Sequence, residues 1–210
     1  MGLFILFEGV EGSGKSTQTR ALKKHLINLG LPVTLVKEPG STEAGKVISQ
    51  LLKHSVDITI TPLTELLLFA ASRSQLVSEV IRPALAQNGI VICDRYTEST
   101  LAYQGYGRGL DPQTIYTVNS IATDGLRPDI ILLLDLNVEK GFQRKHAPVE
   151  NDRFEQEEIL FHQRVRQGYL KMAGENPDSW LVINADQQMQ AIQQNIRDQI
   201  HPVLLQKGFS

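Results

Sequence analysis

The segment Gly9-Val10-Glu11-Gly12-Ser13-Gly14-Lys15-Ser16 places four residues between a glycine and a Gly-Lys-Ser triplet. That spacing suits a loop whose backbone N–H groups turn inward on phosphate oxygens, because its glycines allow close approach to the anion. Lys15 would place a cation at the β- and γ-phosphates, and the Ser16 hydroxyl is a ligand for Mg²⁺. An apolar run, Leu3–Phe7, precedes the loop, and a helix-period segment with Leu22, Leu26 and Leu29 on one face follows it. Strand, glycine loop and helix in that order aim the positive end of the helix dipole at the same anion. Glycines after a strand often make only a tight turn, but a turn needs neither Lys15 nor Ser16. Residues Gly9 through Thr17 are therefore expected to hold the phosphates of a nucleoside triphosphate.

The other chemistry lies just after further apolar runs. Val33–Lys37 ends at Glu38-Pro39-Gly40, and Ile90–Asp94 ends at Asp94-Arg95-Tyr96. Asp94 stands where an acid helps to hold Mg²⁺ beside a phosphate loop. Arg95, with its planar fork, suits a second anion such as an acceptor phosphate. Arg144-Lys145 and Arg153 bracket the polar segment His146–Asp152. Such a segment is often only a solvated loop; beside a triphosphate site it reads as a lid over about 144–153. Transfer to an acceptor other than water requires water to be excluded.

The elements that must position these groups are five strands, Leu3–Phe7, Val33–Lys37, Ile90–Asp94, Ile130–Leu136 and Trp180–Asn184, alternating with helices. Most are continuous apolar runs, as expected where helices cover both faces of a parallel sheet. Leu63–Leu85 reads as helical, Asp111-Pro112 starts a helix, and Met189, Ile192, Ile196, Ile200 and Val203 mark the buried stripe of a closing helix. No linker divides the 210 residues, so residues 1–210 are read as one α/β domain. Ligands gather at the carboxyl ends of such strands.

Hydrophobic content of 41% and charged content of 21% are those of a globular protein. A net charge of −2 provides no basic field for nucleic acid. Cys93 is the one cysteine, in an apolar run, and reads as a buried small residue. The histidines lack metal-ligand spacing, no apolar run is long enough to span a bilayer, and a strand begins too early for a secretory signal. The expectation is a cytoplasmic protein. No Asn is followed by Lys, so the Asn-Lys-x-Asp element of a GTPase is missing. A small-molecule kinase is the better reading.

Taken together, Phe7–Thr17, Glu38-Pro39-Gly40, Leu68–Arg73, Asp94-Arg95-Tyr96, Ser99-Thr100, Ala102–Gly105, Gly107-Arg108-Gly109, Arg127-Pro128-Asp129 and Asp152–Glu155 resemble bacterial thymidylate kinases almost end to end. The resemblance implies a P-loop kinase fold with a five-stranded parallel sheet, helices on both faces and a short lid. It implies Mg²⁺-assisted transfer from ATP to dTMP, and a homodimer. Phe69 would stack on thymine and Arg73 would hydrogen-bond its O4. Thr100 and Gln104 would line the acceptor pocket, completed by Glu38, Pro39 and Ser99. Tyr103 would lie under the sugar, leaving no room for a 2′-hydroxyl, and Glu11 would approach its 3′-hydroxyl. Arg95 would bind the dTMP phosphate. Lys15, Arg95, Arg144 and Arg153 would stabilise the transferring group, and Asn184-Ala185-Asp186 would border adenine. Lys37, Ser41, His146 and Pro148 depart from the pattern of many relatives. A deoxynucleoside kinase with Glu38 as base, and a non-catalytic nucleotide-binding protein, stand as alternatives.

Overall fold

The computed structural model describes residues 2–54, 58–144, 153–154 and 156–209. Strand β1 (Leu3–Glu8) is buried at all six positions. Helix α1 (Lys15–Asn28) leads to β2 (Val33–Lys37), and α2 (Glu43–His54) and α3 (Pro62–Leu76) follow. A π-helical turn at Val77–Ile81 joins α3 to α4 (Arg82–Ala86), ahead of β3 (Ile90–Asp94). Next, α5 (Thr97–Thr100) runs on as a π-helical stretch, Leu101–Gly107, and is followed by α6 (Pro112–Thr123), β4 (Ile130–Asp135) and α7 (Val138–Arg144). Then come α8 (Ile159–Glu175), β5 (Trp180–Asn184) and α9 (Met189–Gln206).

The sheet order is β2-β3-β1-β4-β5, with every pair parallel. Because side chains alternate along a strand, β1 feeds two cores. Phe4 and Leu6 pack with Leu66, Leu76, Tyr96, Val165 and Tyr169 on one face. Leu3, Ile5 and Phe7 pack with Leu22, Leu26, Ile192, Ile196 and Ile200 on the other. Cys93 is buried and free, as expected.

Register makes the site. Phe7 lies opposite Asp94, and Asp94 opposite Lys37. The chain therefore leaves the sheet at Glu8-Gly9, at Arg95 and at Glu38 on one level. Two further backbone bonds hold that level, Arg95 N–H to the Phe7 carbonyl and Glu38 N–H to the Asp94 carbonyl, each 3.0 Å.

Three details differ from the sequence reading. β1 extends through Glu8, and β4 stops at Asp135. Leu63–Leu85 is helical throughout but not uniformly α. The Arg82 N–H reaches five residues back to the Val77 carbonyl, and Pro83 has no N–H with which to restore the ordinary ladder. In α9 the buried stripe ends at Leu204 rather than Val203, while Met189 is about half exposed. The α6 start is as expected, with the Asp111 carboxylate accepting from Thr114 N–H at 2.9 Å and Pro112 in the first turn.

The phosphate loop and α7 cross where neither carries a side chain. A Cβ on Gly12 would collide with the Gly141 backbone, and one on Gly141 with the Glu11 carbonyl oxygen. This close approach puts Arg144, one turn further along α7, at the edge of the loop. Gly141→Ala is expected to lower stability by about 1–3 kcal/mol through overpacking, and to weaken ATP binding because the obstructed atom belongs to the loop backbone. Thermal melts and ATP titration check this; unchanged ATP affinity would show that the contact is not needed to shape the loop.

Candidate active site

A cleft of about 530 Å³ opens where the level strand ends meet. At one end, Lys15 folds back over the loop and its Nζ donates to the Gly9 and Val10 carbonyls at 2.8 and 2.9 Å. Burial, and next the charge of Arg95, lower its pKa to about 8. The Ser16 hydroxyl donates to Asp94 Oδ2 at 2.7 Å. Asp94 Oδ1 and Ser13 Oγ are buried without a hydrogen-bond partner among the described residues. A hydroxyl beside a carboxylate with an unused buried oxygen is a hard-oxygen donor pair that fits Mg²⁺. Among the described residues no group of three or more His, Cys, Asp or Glu could hold a metal.

Arg95 sits at the middle of the cleft with φ of 74°, in the left-handed region that side chains other than glycine rarely adopt. Its guanidinium donates to Glu11 Oε1 at 2.5 Å, Tyr103 Oη at 3.0 Å, Ser99 Oγ at 3.1 Å and Tyr169 Oη at 3.2 Å. Beneath it lies Glu8, wholly buried. Glu8 accepts from the N–H groups of Tyr96 and Ser99 and from the hydroxyls of Ser99 and Tyr169, all within 3.1 Å. Burial raises the Glu8 pKa, against the lowering effects of Arg95 and these donors.

Arg73 is fully buried at the other end. Nε donates to both Glu38 oxygens at 2.9 Å, and Nη2 reaches Glu38, Thr100 and the Tyr96 carbonyl. Nη1 donates to Asn119 Oδ1 at 2.5 Å, leaving one Nη1 hydrogen without a partner among the described residues. Phe69, Pro39, Thr100, Tyr103 and Gln104 line the same end. The Phe154 ring closes it, 5.8 Å from Phe69 and 6.0 Å from Tyr103 between centroids.

The cleft thus joins a phosphate loop to an aromatic pocket through one arginine. The family model described as thymidylate kinase matches residues 7–196. This chain belongs to the thymidylate kinase family. The thymidylate kinase of Dehalococcoides mccartyi (strain CBDB1) is 50% identical over 200 residues, covering 95% of this chain and 96% of that one. That of Geotalea uraniireducens (strain Rf4) is 47% identical over 196 residues, covering 90% and 92%. The crystal structure of thymidylate kinase from Ehrlichia chaffeensis superposes with a TM-score of 0.77 at 32% identity, over 95% of this chain and 98% of that one.

Within this thymidylate kinase framework Arg144 and Arg153 part company. Arg144 lines the cleft, donates to the Ala185 carbonyl at 2.9 Å and pairs with Asp186 at 3.6 Å. Asp186 also pairs with Lys140. Asn184, Ala185 and Asp186 do not line the main cleft; they stand behind Arg144, and Ala185 is fully buried. Arg153 does not line the cleft. Its Nη1 donates to the Leu52 carbonyl at 3.1 Å and its Nη2 lies 3.6 Å from Glu65. A helix-end carbonyl and a buried carboxylate draw it there. Residues 145–152, including His146 and Pro148, lie outside the described residues.

Glu8, Asn119 and Tyr169, which the sequence reading did not single out, pack against the groups around Arg95 and Arg73. Only Glu8 had a visible signal, an acid closing an apolar strand just before the loop. Arg144→Ala is expected to reduce kcat at least about 100-fold, as for a transition-state cation, and Arg153→Ala by much less. Steady-state kinetics with ATP and dTMP check the order, and the reverse order would mean that Arg153 swings into the cleft during turnover.

Proposed function

We propose that the two ends of the cleft hold ATP and dTMP, with Arg95 binding the dTMP phosphate between them. Membership of the thymidylate kinase family makes the reaction ATP-dependent phosphorylation of dTMP to dTDP. The observation that carries the assignment of roles is the setting of Arg95. It sits between the phosphate loop and the aromatic pocket, and its charge is fixed at every working pH. Side-chain exposures of 14% for Arg95 and 24% for Glu11 leave their pair open to exchange. An incoming phosphate replaces the Glu11 carboxylate on the fork, which frees Glu11 to approach the sugar 3′-hydroxyl.

The nucleophile is an oxygen of the dTMP phosphate, dianionic at neutral pH because its second pKa is near ~6. No general base is needed. Glu38, the base that a hydroxyl acceptor would require, is held on both oxygens by Arg73. This supports a phosphate acceptor over the nucleoside alternative. Ser16 and Asp94 are the residues that would hold Mg²⁺, which supplies charge neutralisation across the β- and γ-phosphates. Lys15 and Arg144 orient and stabilise the transferring group, and Phe154 closes the acceptor end against water. Phe69 stacks on thymine, the uncommitted Nη1 hydrogen of Arg73 serves O4, and the loop 184–186 borders adenine.

The acting form is a homodimer. Exposed apolar side chains on the neighbouring helices α2, α3 and α6 (Val47, Leu63, Leu67, Tyr116 and Ile121) support a second copy as the partner. No described helix is long and apolar enough to cross a membrane, and the proposed location is the cytoplasm.

With ATP fixed, dTMP is expected to yield ADP while thymidine yields none; preference for thymidine would overturn the phosphate-acceptor assignment. Loss of the single thymine methyl in dUMP should cost about 10–200-fold in kcat/KM. Tyr103→Ala is expected to narrow the preference for dTMP over its ribose counterpart. An unchanged ratio would place the sugar gate elsewhere.

A further inference from the structure

Away from the phosphate loop, a buried cluster of charge centres on Glu65 of α3. It is buried among cations and amides, with 1% exposure. Its Oε1 accepts from Gln104 Nε2 at 2.7 Å and from Arg108 Nε at 3.2 Å, and its Oε2 accepts from Arg108 Nη2 at 3.3 Å. Arg108 carries the connection onward to Glu157 at 2.5 Å and lies over the Phe161 ring, 4.8 Å from its centroid. None of these contacts touches the phosphate loop, so none is explained by the transfer step.

Their consequence falls on Gln104. A side-chain amide has a donor end and an acceptor end of nearly the same shape, and its neighbours decide which end points where. A carboxylate only accepts. Glu65 therefore takes the NH₂ end of Gln104, since the opposite rotation would press a carbonyl oxygen against a carboxylate in a buried site. Gln104 lines the acceptor end of the cleft, and its Oε1 has no hydrogen-bond partner among the described residues. The end left for a bound base is an acceptor.

We infer that Glu65 is a specificity-determining positioning residue that fixes the amide of Gln104, so that the acceptor pocket favours a pyrimidine with N3–H over one with a bare N3 lone pair. The inference rests on the assignment of this end of the cleft to the acceptor base. Thymine carries a hydrogen on N3 and meets the Gln104 oxygen as a donor. Cytosine presents a lone pair to that oxygen, and two buried acceptors are left unpaired, which is the arrangement by which a polar site rejects an analogue. Glu65 acts only through Gln104 and touches neither substrate.

The test is steady-state kinetics on dTMP and dCMP with ATP fixed, using wild type, Glu65→Gln, Gln104→Met and the exchanged pair Glu65→Gln with Gln104→Glu. In Glu65→Gln the neighbour can accept as well as donate, so Gln104 is free to turn. The ratio of kcat/KM for dTMP over dCMP is expected to fall about ten-fold or more, carried by the acceptor KM, with kcat on dTMP changed much less. The exchanged pair keeps the hydrogen bond and the net charge and again turns an oxygen to the cleft, so it should return the ratio towards wild type. It also decides the matter if Glu65→Gln alone does not fold, because a ratio as low as that of Gln104→Met would then overturn the inference. An unchanged ratio in a folded Glu65→Gln, or an equal loss on both acceptors, would overturn it too and leave Glu65 a purely structural residue. A wild-type enzyme without preference for dTMP would instead overturn the assignment of the acceptor pocket itself.

Discussion

A carboxylate buried where a strand becomes a phosphate loop governs this cleft. Glu8 has no exposed surface, and an ion in that position is tolerated only when its oxygens are surrounded by donors and opposite charge. Satisfying it draws in the start of α5 through the Tyr96 and Ser99 N–H groups, and α8 through the Tyr169 hydroxyl. Those same hydroxyls then receive the guanidinium of Arg95. One buried charge thus ties two separate parts of the chain to the carboxyl end of β1. The helices cannot shift on the sheet without leaving it unpaired.

The two central arginines differ in how completely they are occupied. Arg73 is enclosed by Glu38, Asn119, Thr100 and a backbone carbonyl, and its charge is neutralised at contact distance. A guanidinium in that state has little left for a phosphate but retains a directional hydrogen for a neutral carbonyl. Arg95 contacts three hydroxyls and one partly exposed carboxylate. Hydroxyls leave its positive charge in place. Burial with a matched counter-ion suits a guanidinium to a neutral carbonyl, and partial exposure among hydroxyls suits one to an anion.

The sequence was legible wherever a local rule applied. Five strands, the phosphate loop, the Asp111 cap and the pairing of Ser16 with Asp94 follow from apolar runs, glycine spacing and position at a strand end. Contacts set by packing between distant segments were not legible. The Glu65–Gln104 bond spans 39 residues and the Tyr169–Glu8 bond 161, and nothing in either neighbourhood announces its partner. The contacts of Arg153 were hidden for a related reason. Its spacing from Arg144 suggested a shared task, but the Leu52 carbonyl and Glu65 that hold it became neighbours only through the fold. The π turn at Val77–Ile81 was hinted at by Pro83 alone.

The left-handed backbone at Arg95 has an evolutionary consequence. A residue with a Cβ pays about 1–2 kcal/mol to sit there, and glycine does not. Glycine would relieve the backbone but would strip the buried Glu8 of its counter-charge, a larger loss. Any other side chain would keep the strain without supplying the charge. The position is closed from both sides, and it has little room to drift.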